Sequence, residues 1–234
     1  MRLLVSVANA AEVSAALAGG ADLIDGKDPQ RGALGAVAEP VLHAILERVG
    51  GARPVTAAIG DATDDAAIER TACACAAAGA ALVKVGFAGI TSQARVAALA
   101  VAARRGVSTS SAGVVLVAYA DADRVASIAP AAVVDVAART GARGVLLDTA
   151  DKNGPGLRAL MTPAALAAFV AHAHQNGLLV ALAGRLALDD LAFVRDAGAD
   201  IAGVRGAACE GGRTGQVSVD LVRRLRGLCE ERAQ

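Results

Sequence analysis

Short apolar runs alternate with longer alanine-rich segments along the whole chain. Runs rich in Val, Leu and Ile are typical of buried strands, whereas the segments between them have helical periodicity. This pattern predicts eight strands, at residues 2–8, 22–27, 55–61, 81–87, 114–121, 144–150, 178–184 and 201–207. A helix is predicted after each strand, near residues 9–18, 39–49, 63–79, 91–105, 130–140, 162–176, 188–197 and 218–231.

A repeated sequence motif indicates how these elements are arranged. "LAGGADLID", "AAAGAALVKVG", "RTGARGVLLD" and "RDAGADIAGV" precede strands two, four, six and eight, and each joins a helix-ending glycine to the next strand. Eight strand–helix units predict a single (β/α)₈ TIM barrel over residues 1–234. A doubly wound open sheet is the alternative, but the turn after the first strand, "SVANAAEV", lacks a G-x-G-x-x-G fingerprint.

Composition and charge narrow the class of partner. The formal net charge is zero and no apolar run approaches the roughly 20 residues that span a bilayer, so neither nucleic acid nor a membrane is expected. A small-molecule partner is favoured. The N-terminal stretch "MRLLVSVANAAEVSAAL" is predicted to form a strand and a helix rather than a secretion signal, which indicates a cytoplasmic protein. The spacing of the four cysteines fits neither a disulfide framework nor a zinc site, so no metal is expected.

Lysine is rare, with three lysines and 20 arginines among the 23 basic residues. Lys27 ends strand two, Lys84 lies within the apolar strand "ALVKVGF", and Lys152 follows strand six. A barrel places its active site at the C-terminal ends of its strands. A desolvated lysine can lose its proton and attack a carbonyl, which arginine cannot do. Each lysine could instead simply pair with a carboxylate, but the placement of all three favours amine chemistry.

Carboxylates accompany these lysines. Asp25 and Lys27 are two apart on one strand, so both side chains are predicted to face the barrel interior. Asp148 and Asp61, near the ends of strands six and three, are predicted to face the same mouth. An aspartate beside a lysine can orient it, hold its charge or transfer a proton. Two weaker candidates, for which a helix N-cap is the alternative, are Asp121 and Asp123.

The loops after strands seven and eight, "LAGRLALDD" and "VRGAACEGGRTG", are candidates for phosphate binding, which barrels often place there. Glycines allow a close approach of the backbone and arginines supply charge, although these glycines could merely shape tight turns. An arginine in the last strand requires an anionic partner. The candidate residues are Gly184, Arg185, Arg205, Gly206, Gly211, Gly212 and Arg213.

Several stretches resemble those of one enzyme family, the (5-formylfuran-3-yl)methyl phosphate synthases of methanofuran biosynthesis. They are "LLVSV", "GGADLIDGKDPQRGALGA", "VKVGF", "YADADRV", "LLDTADKNG", "LAG" and "VRGAAC", which together span almost the whole chain. The chain departs from the family pattern at Gly26, at Asp28 and in a shorter loop after strand three, "GDATDDAA".

The resemblance implies a lyase that condenses two molecules of glyceraldehyde 3-phosphate into a phosphorylated furan aldehyde, with loss of phosphate and water. It assigns the Schiff base to Lys27 and proton transfer to Lys84, and it places Asp25, Asp148 and Lys152 in the same site. No cofactor is expected. The protein is expected to form a homo-oligomer. Two rival hypotheses are a Schiff-base aldolase acting on a single phosphorylated sugar and a non-catalytic barrel that binds a phosphorylated metabolite.

Overall fold

Eight parallel strands pair in sequence order and close into a barrel in the computed structural model of the chain, which describes residues 1–230. The strands are β1 Arg2–Val7, β2 Leu23–Gly26, β3 Val55–Asp61, β4 Leu82–Gly86, β5 Gly113–Tyr119, β6 Gly144–Asp148, β7 Leu179–Leu182 and β8 Ile201–Val204. The predicted (β/α)₈ barrel is therefore confirmed. Several strands end earlier than predicted, so that Lys27 and Arg205 lie directly after β2 and β8.

Helices follow the strands and surround the barrel. They are α1 Ala10–Ala18, α2 Glu39–Val49, α3 Asp65–Ala78, α4 Gln93–Val107, α5 Pro130–Thr140, α6 Leu157–Leu160, α7 Pro163–Gln175, α8 Leu191–Asp196 and α9 Val219–Glu230. The short helix α6 and a two-stranded hairpin, β9 Cys209–Glu210 with β10 Gln216–Val217, form where the sequence predicted only loops. Within residues 1–230, none of the helices is long and apolar enough to cross a membrane.

Side-chain alternation along the strands separates the outer core from the site. In β4, Val83 and Val85 are fully buried in the core between strands and helices. Lys84 points the opposite way, into the barrel, because successive strand residues face opposite sides. An apolar floor of Leu4, Leu23 and Ile201 packs inside the barrel at the start of the strands. Polar groups inside the barrel therefore lie above an apolar floor.

Strand register brings the interior polar residues to similar heights. Asp25 on β2 pairs with Ser6 on β1 and with Thr56 on β3. Two residues further along β3, Ala58 pairs with Lys84 on β4. Parallel pairing thus places Lys84 within reach of Asp25 although the two residues are on non-adjacent strands. Their meeting follows from the register of three strands.

Candidate active site

All five predicted catalytic residues line one cavity of about 430 Å³ at the C-terminal mouth of the barrel. The cavity extends from the mouth down to interior side chains such as Leu179 and Ile201. Its charged members from the strand ends are Asp25, Lys27, Lys84, Asp148 and Lys152. Both carboxylates are essentially inaccessible to solvent, and the three amines are almost so.

Asp25 and Lys84 form a buried ion pair on one side of this cavity. Lys84 Nζ lies 2.6 Å from Asp25 Oδ1. The same oxygen accepts a hydrogen bond from Thr56 Oγ1 at 2.7 Å, and Oδ2 accepts one from Ser6 Oγ at 2.9 Å. Three donors thus compensate for the desolvation of the carboxylate. Both oxygens of Asp25 are therefore hydrogen-bonded.

Asp148 carries a second ion pair on the other side. Lys152 Nζ donates to Asp148 Oδ1 at 2.6 Å, and the backbone N–H of Thr149 donates to the same oxygen at 2.7 Å. Burial acts to raise the pKa of Asp148, but the charges of Lys152 and Lys27 and these hydrogen bonds outweigh it and lower the pKa. Asp148 is therefore held as a carboxylate.

Lys27 is the least firmly paired of the three lysines. Its Nζ lies 4.0 Å from Asp148 Oδ2, and its side chain is 9% exposed. The pKa of Lys27 is lowered from 10.5 to about 7, mainly by burial. The charges of Asp148 and Asp25 act to raise this pKa, and those of Lys152 and Lys84 act to lower it. A large fraction of this amine is consequently neutral at physiological pH. A neutral, confined amine is a nucleophile.

The predicted phosphate-binding residues divide into two groups. Gly184, Arg185, Arg205, Gly206 and Arg213 line the cavity, whereas Gly211 and Gly212 are not among its lining residues and form the turn of the β9–β10 hairpin. Arg185 donates a hydrogen bond to the carbonyl of Gly154. Arg213 donates from Nε to the carbonyl of Pro29 at 3.2 Å and from Nη2 to that of Gly32 at 2.6 Å.

The structure gives Arg205 a different partner from the phosphate that the sequence suggested. Its guanidinium forms an ion pair with Glu12 of α1, with Nη1 2.5 Å and Nη2 3.0 Å from the two carboxylate oxygens. Its other bonds go to the carbonyls of Ser6, Arg213 and Gly215. The five N–H donors of the side chain are all used inside the protein. Arg205 ties β1, α1 and the β8 loop together, and a phosphate contact is not supported.

The other three candidate aspartates lie outside the cavity lining. Asp61, which was predicted to face the same mouth, accepts hydrogen bonds from Tyr119 Oη at 2.7 Å and from the backbone N–H of Ala88 at 2.9 Å. Asp121 precedes a short 3₁₀ helix but does not cap it; its carboxylate bonds to the loop after β6. Asp123 is exposed. Asp61 thus does not line the cavity, and the N-cap alternative for Asp121 is wrong.

Three functional contacts were missed from the sequence. Ser6 and Thr56 hold Asp25, and Glu12 neutralises Arg205. Ser6 interrupts the apolar run "LLVSV" at an inward position, which could have identified it, but nothing in the pattern of α1 distinguishes Glu12 from a surface carboxylate. Among residues 1–230, no three His, Cys, Asp or Glu side chains lie close enough together to hold a metal ion.

Solved structures with similar folds are distant from this chain in sequence. A 3-hexulose-6-phosphate synthase superposes with a TM-score of 0.63 at 21% identity, covering 97% of this chain and 99% of that chain. An orotidine 5'-phosphate decarboxylase from Pyrococcus horikoshii has a TM-score of 0.67 at 14% identity, covering 98% and 99%. At these identities the likeness shows the fold alone.

Sequence relatives are much more similar to this chain. A (5-formylfuran-3-yl)methyl phosphate synthase of Methanopyrus kandleri is 40% identical over 229 residues, covering 96% of this chain and 97% of the relative. The synthase of the same name from Methanocaldococcus jannaschii is 37% identical, covering 98% and 100%. The family model described as 4-HFC-P synthase matches residues 3–226. The chain therefore belongs to the 4-HFC-P synthase family.

Proposed function

We propose that this protein condenses two molecules of glyceraldehyde 3-phosphate, through a Schiff base on Lys27, into (5-formylfuran-3-yl)methyl phosphate. The family relatives carry the name of this product. The observation that carries the mechanism is the Lys27 amine, buried in the cavity with a pKa of about 7 between two separate ion pairs. This amine is suited to act as a nucleophile, whereas Lys84 and Lys152 each form a close ion pair with an aspartate.

The first step is attack of neutral Lys27 on the carbonyl carbon of one triose phosphate. With a pKa of about 7, roughly half of the amine is neutral at pH 7, about a thousand times more than for an ordinary lysine. Loss of water gives an iminium, which draws electrons from the adjacent carbon and allows its proton to leave. The resulting enamine carbon then forms the new carbon–carbon bond with the carbonyl of the second triose phosphate.

The two ion pairs provide the proton transfers. Lys84 exchanges protons with the substrate during isomerisation and dehydration, while Asp25 keeps it oriented. Lys152, at 2.6 Å from Asp148, is placed beside Lys27 and assists departure of the phosphate. Asp148 also stabilises the positive charge that the iminium places near it.

The overall reaction balances without an oxidant or a reductant. Two triose phosphates supply six carbons and two phosphate groups, and the furan product retains all six carbons and one phosphate. One phosphate and two waters therefore leave. Addition of a substrate hydroxyl to the iminium carbon closes the ring, and the Lys27 amine then leaves that carbon, which frees the enzyme. Every bond is thus formed or broken by addition, elimination or proton transfer, which is the chemistry that an iminium supports.

The retained phosphate is proposed to bind at the loops after β7 and β8. Gly184 and Gly206 line the cavity there and allow a close approach of the backbone, and Arg185 and Arg213 supply positive charge. Arg213 uses Nε and Nη2 for backbone carbonyls and makes no hydrogen bond from Nη1 within residues 1–230. That nitrogen is proposed to contact the phosphate.

A Schiff-base aldolase on one phosphorylated sugar shares the Lys27 adduct but releases no phosphate. Purified protein is incubated with glyceraldehyde 3-phosphate while phosphate release and substrate loss are both measured. We expect one phosphate for every two substrates and a furan aldehyde detected by its absorbance and mass. Lys27→Met is expected to abolish both signals. Substrate consumption without phosphate release would refute the synthase proposal and favour the aldolase.

A further inference from the structure

Asp121 is a buried carboxylate that the proposed mechanism does not use. It follows β5, is 6% exposed and lies outside the cavity lining. Its Oδ1 accepts a hydrogen bond from the backbone N–H of Ala150 at 2.7 Å, and its Oδ2 accepts one from that of Asp151 at 2.9 Å. A buried charge is unfavourable unless it is paired or hydrogen-bonded. The carboxylate is therefore satisfied by the backbone of one neighbouring loop.

That loop carries Lys152 from the end of β6 back toward the cavity. Three consecutive backbone N–H groups along it each donate to a carboxylate, that of Thr149 to Asp148 and the next two to Asp121. The loop is thus held from the cavity side by Asp148 and from the β5 side by Asp121. Lys152 follows directly and donates to Asp148 at 2.6 Å.

We propose that Asp121 is a positioning residue that sets the place of the Lys152 amine. The inference rests on the proposed role of Lys152 in the reaction. Asp121 does not touch the cavity, so it acts only through the backbone of residues 150 and 151. An asparagine at this position would offer one acceptor and turn an NH₂ donor toward the second N–H, which would displace the loop.

The test is a double-mutant cycle of Asp121→Asn and Lys152→Met, with phosphate release measured as kcat and KM. Misplacement of a reacting group by about 1 Å can cost on the order of 100-fold in rate, so we expect Asp121→Asn to lower kcat about 10- to 100-fold, with KM changed less than about threefold. The double variant should be no slower than Lys152→Met alone, because residues that act through one another are not additive.

Two further readouts separate positioning from a general loss of structure. The rate of Lys27 adduct formation, trapped by borohydride, should fall less than kcat in Asp121→Asn, because Asp121 reaches Lys27 only indirectly, through Lys152 and the Asp148 carboxylate that both amines share. Asp123→Asn makes the same charge change at an exposed position two residues away and should leave kcat unchanged. If Asp121→Asn does not fold, Asp121→Glu, which keeps both acceptor oxygens, takes its place in the cycle.

Each outcome decides the question. Effects that multiply in the double variant would overturn the positioning role while leaving the proposed function intact, and so would an equal slowing of Lys27 adduct formation. Full activity of Lys152→Met would overturn both the proposed part of Lys152 and this inference. We expect Lys152→Met to form the Lys27 adduct and to show a large fall in kcat. We expect no further fall in kcat in the double variant.

Discussion

Replacing Lys27 by methionine is expected to stabilise the fold at neutral pH while removing the proposed nucleophile. Methionine is unbranched and of similar length, so it can occupy the same space without a charge. The Lys27 side chain is 9% exposed, and its nearest carboxylate oxygen is 4.0 Å away. Asp148 keeps its closer partner, Lys152, in the variant. The substitution therefore removes a desolvated amine without leaving a carboxylate unpaired.

The size of the effect follows from the pKa of Lys27, which burial lowers from 10.5 to about 7. Between pH 7 and pH 10.5, Lys27 of the unfolded chain binds a proton that Lys27 of the folded protein largely does not bind. Stability therefore rises with pH across this window and falls as the pH drops toward 7. At pH 7 the lysine costs the folded state about 4 kcal/mol relative to strongly alkaline conditions.

Denaturant unfolding of wild type and Lys27→Met at pH 7 and pH 10 measures this cost. We expect the variant to be more stable by about 2–4 kcal/mol at pH 7, and this advantage to shrink at pH 10. Lys84→Met is the matched control, since it leaves buried Asp25 without the amine 2.6 Å away. It should destabilise by about 3–5 kcal/mol. A Lys27→Met variant that is no more stable than wild type at pH 7, with a difference independent of pH, would refute the reasoning.

Three further predictions concern the nucleophile and the packing around the mouth. The rate of adduct formation at Lys27 should rise with pH around a midpoint near 7, measured by borohydride trapping and mass spectrometry; a rate still rising near pH 10 would contradict the lowered pKa. Arg205→Met leaves the buried Glu12 carboxylate without its cation and should cost about 3–5 kcal/mol in denaturant unfolding, so unchanged stability would argue against the buried pair. Gly86→Ala would force a methyl group onto the Tyr119 hydroxyl and should lower the melting temperature by several degrees, roughly 2–4 °C for each kcal/mol lost. A melting temperature equal to that of wild type would show that Tyr119 can move to accommodate the methyl group.

Much of the fold and the ion-pair chemistry could be predicted because both have local signals. A lysine between two valines in an apolar strand must face the barrel interior, and the structure places Lys84 there beside Asp25. Alternation along the strand and the cost of an unpaired buried charge are enough for that prediction. The rarity of lysine in the chain further indicated that the three lysines have a chemical role.

What could not be predicted depends on contacts between distant parts of the chain. Arg205 does require an anionic partner, but only the folded barrel shows that this partner is Glu12, 193 residues away. Asp121 likewise reads as a helix N-cap in sequence, whereas its carboxylate reaches a loop about 30 residues further on. Capping and bridging use the same residue type, so local sequence does not distinguish them.

Borohydride trapping in the presence of glyceraldehyde 3-phosphate tests the central claim most directly. The reduced adduct is located by peptide mass spectrometry while phosphate release is followed in a parallel sample without borohydride. We expect a single adduct on Lys27, with one phosphate released for every two substrates consumed. Phosphate release by a protein that yields no adduct at Lys27 would contradict the covalent mechanism.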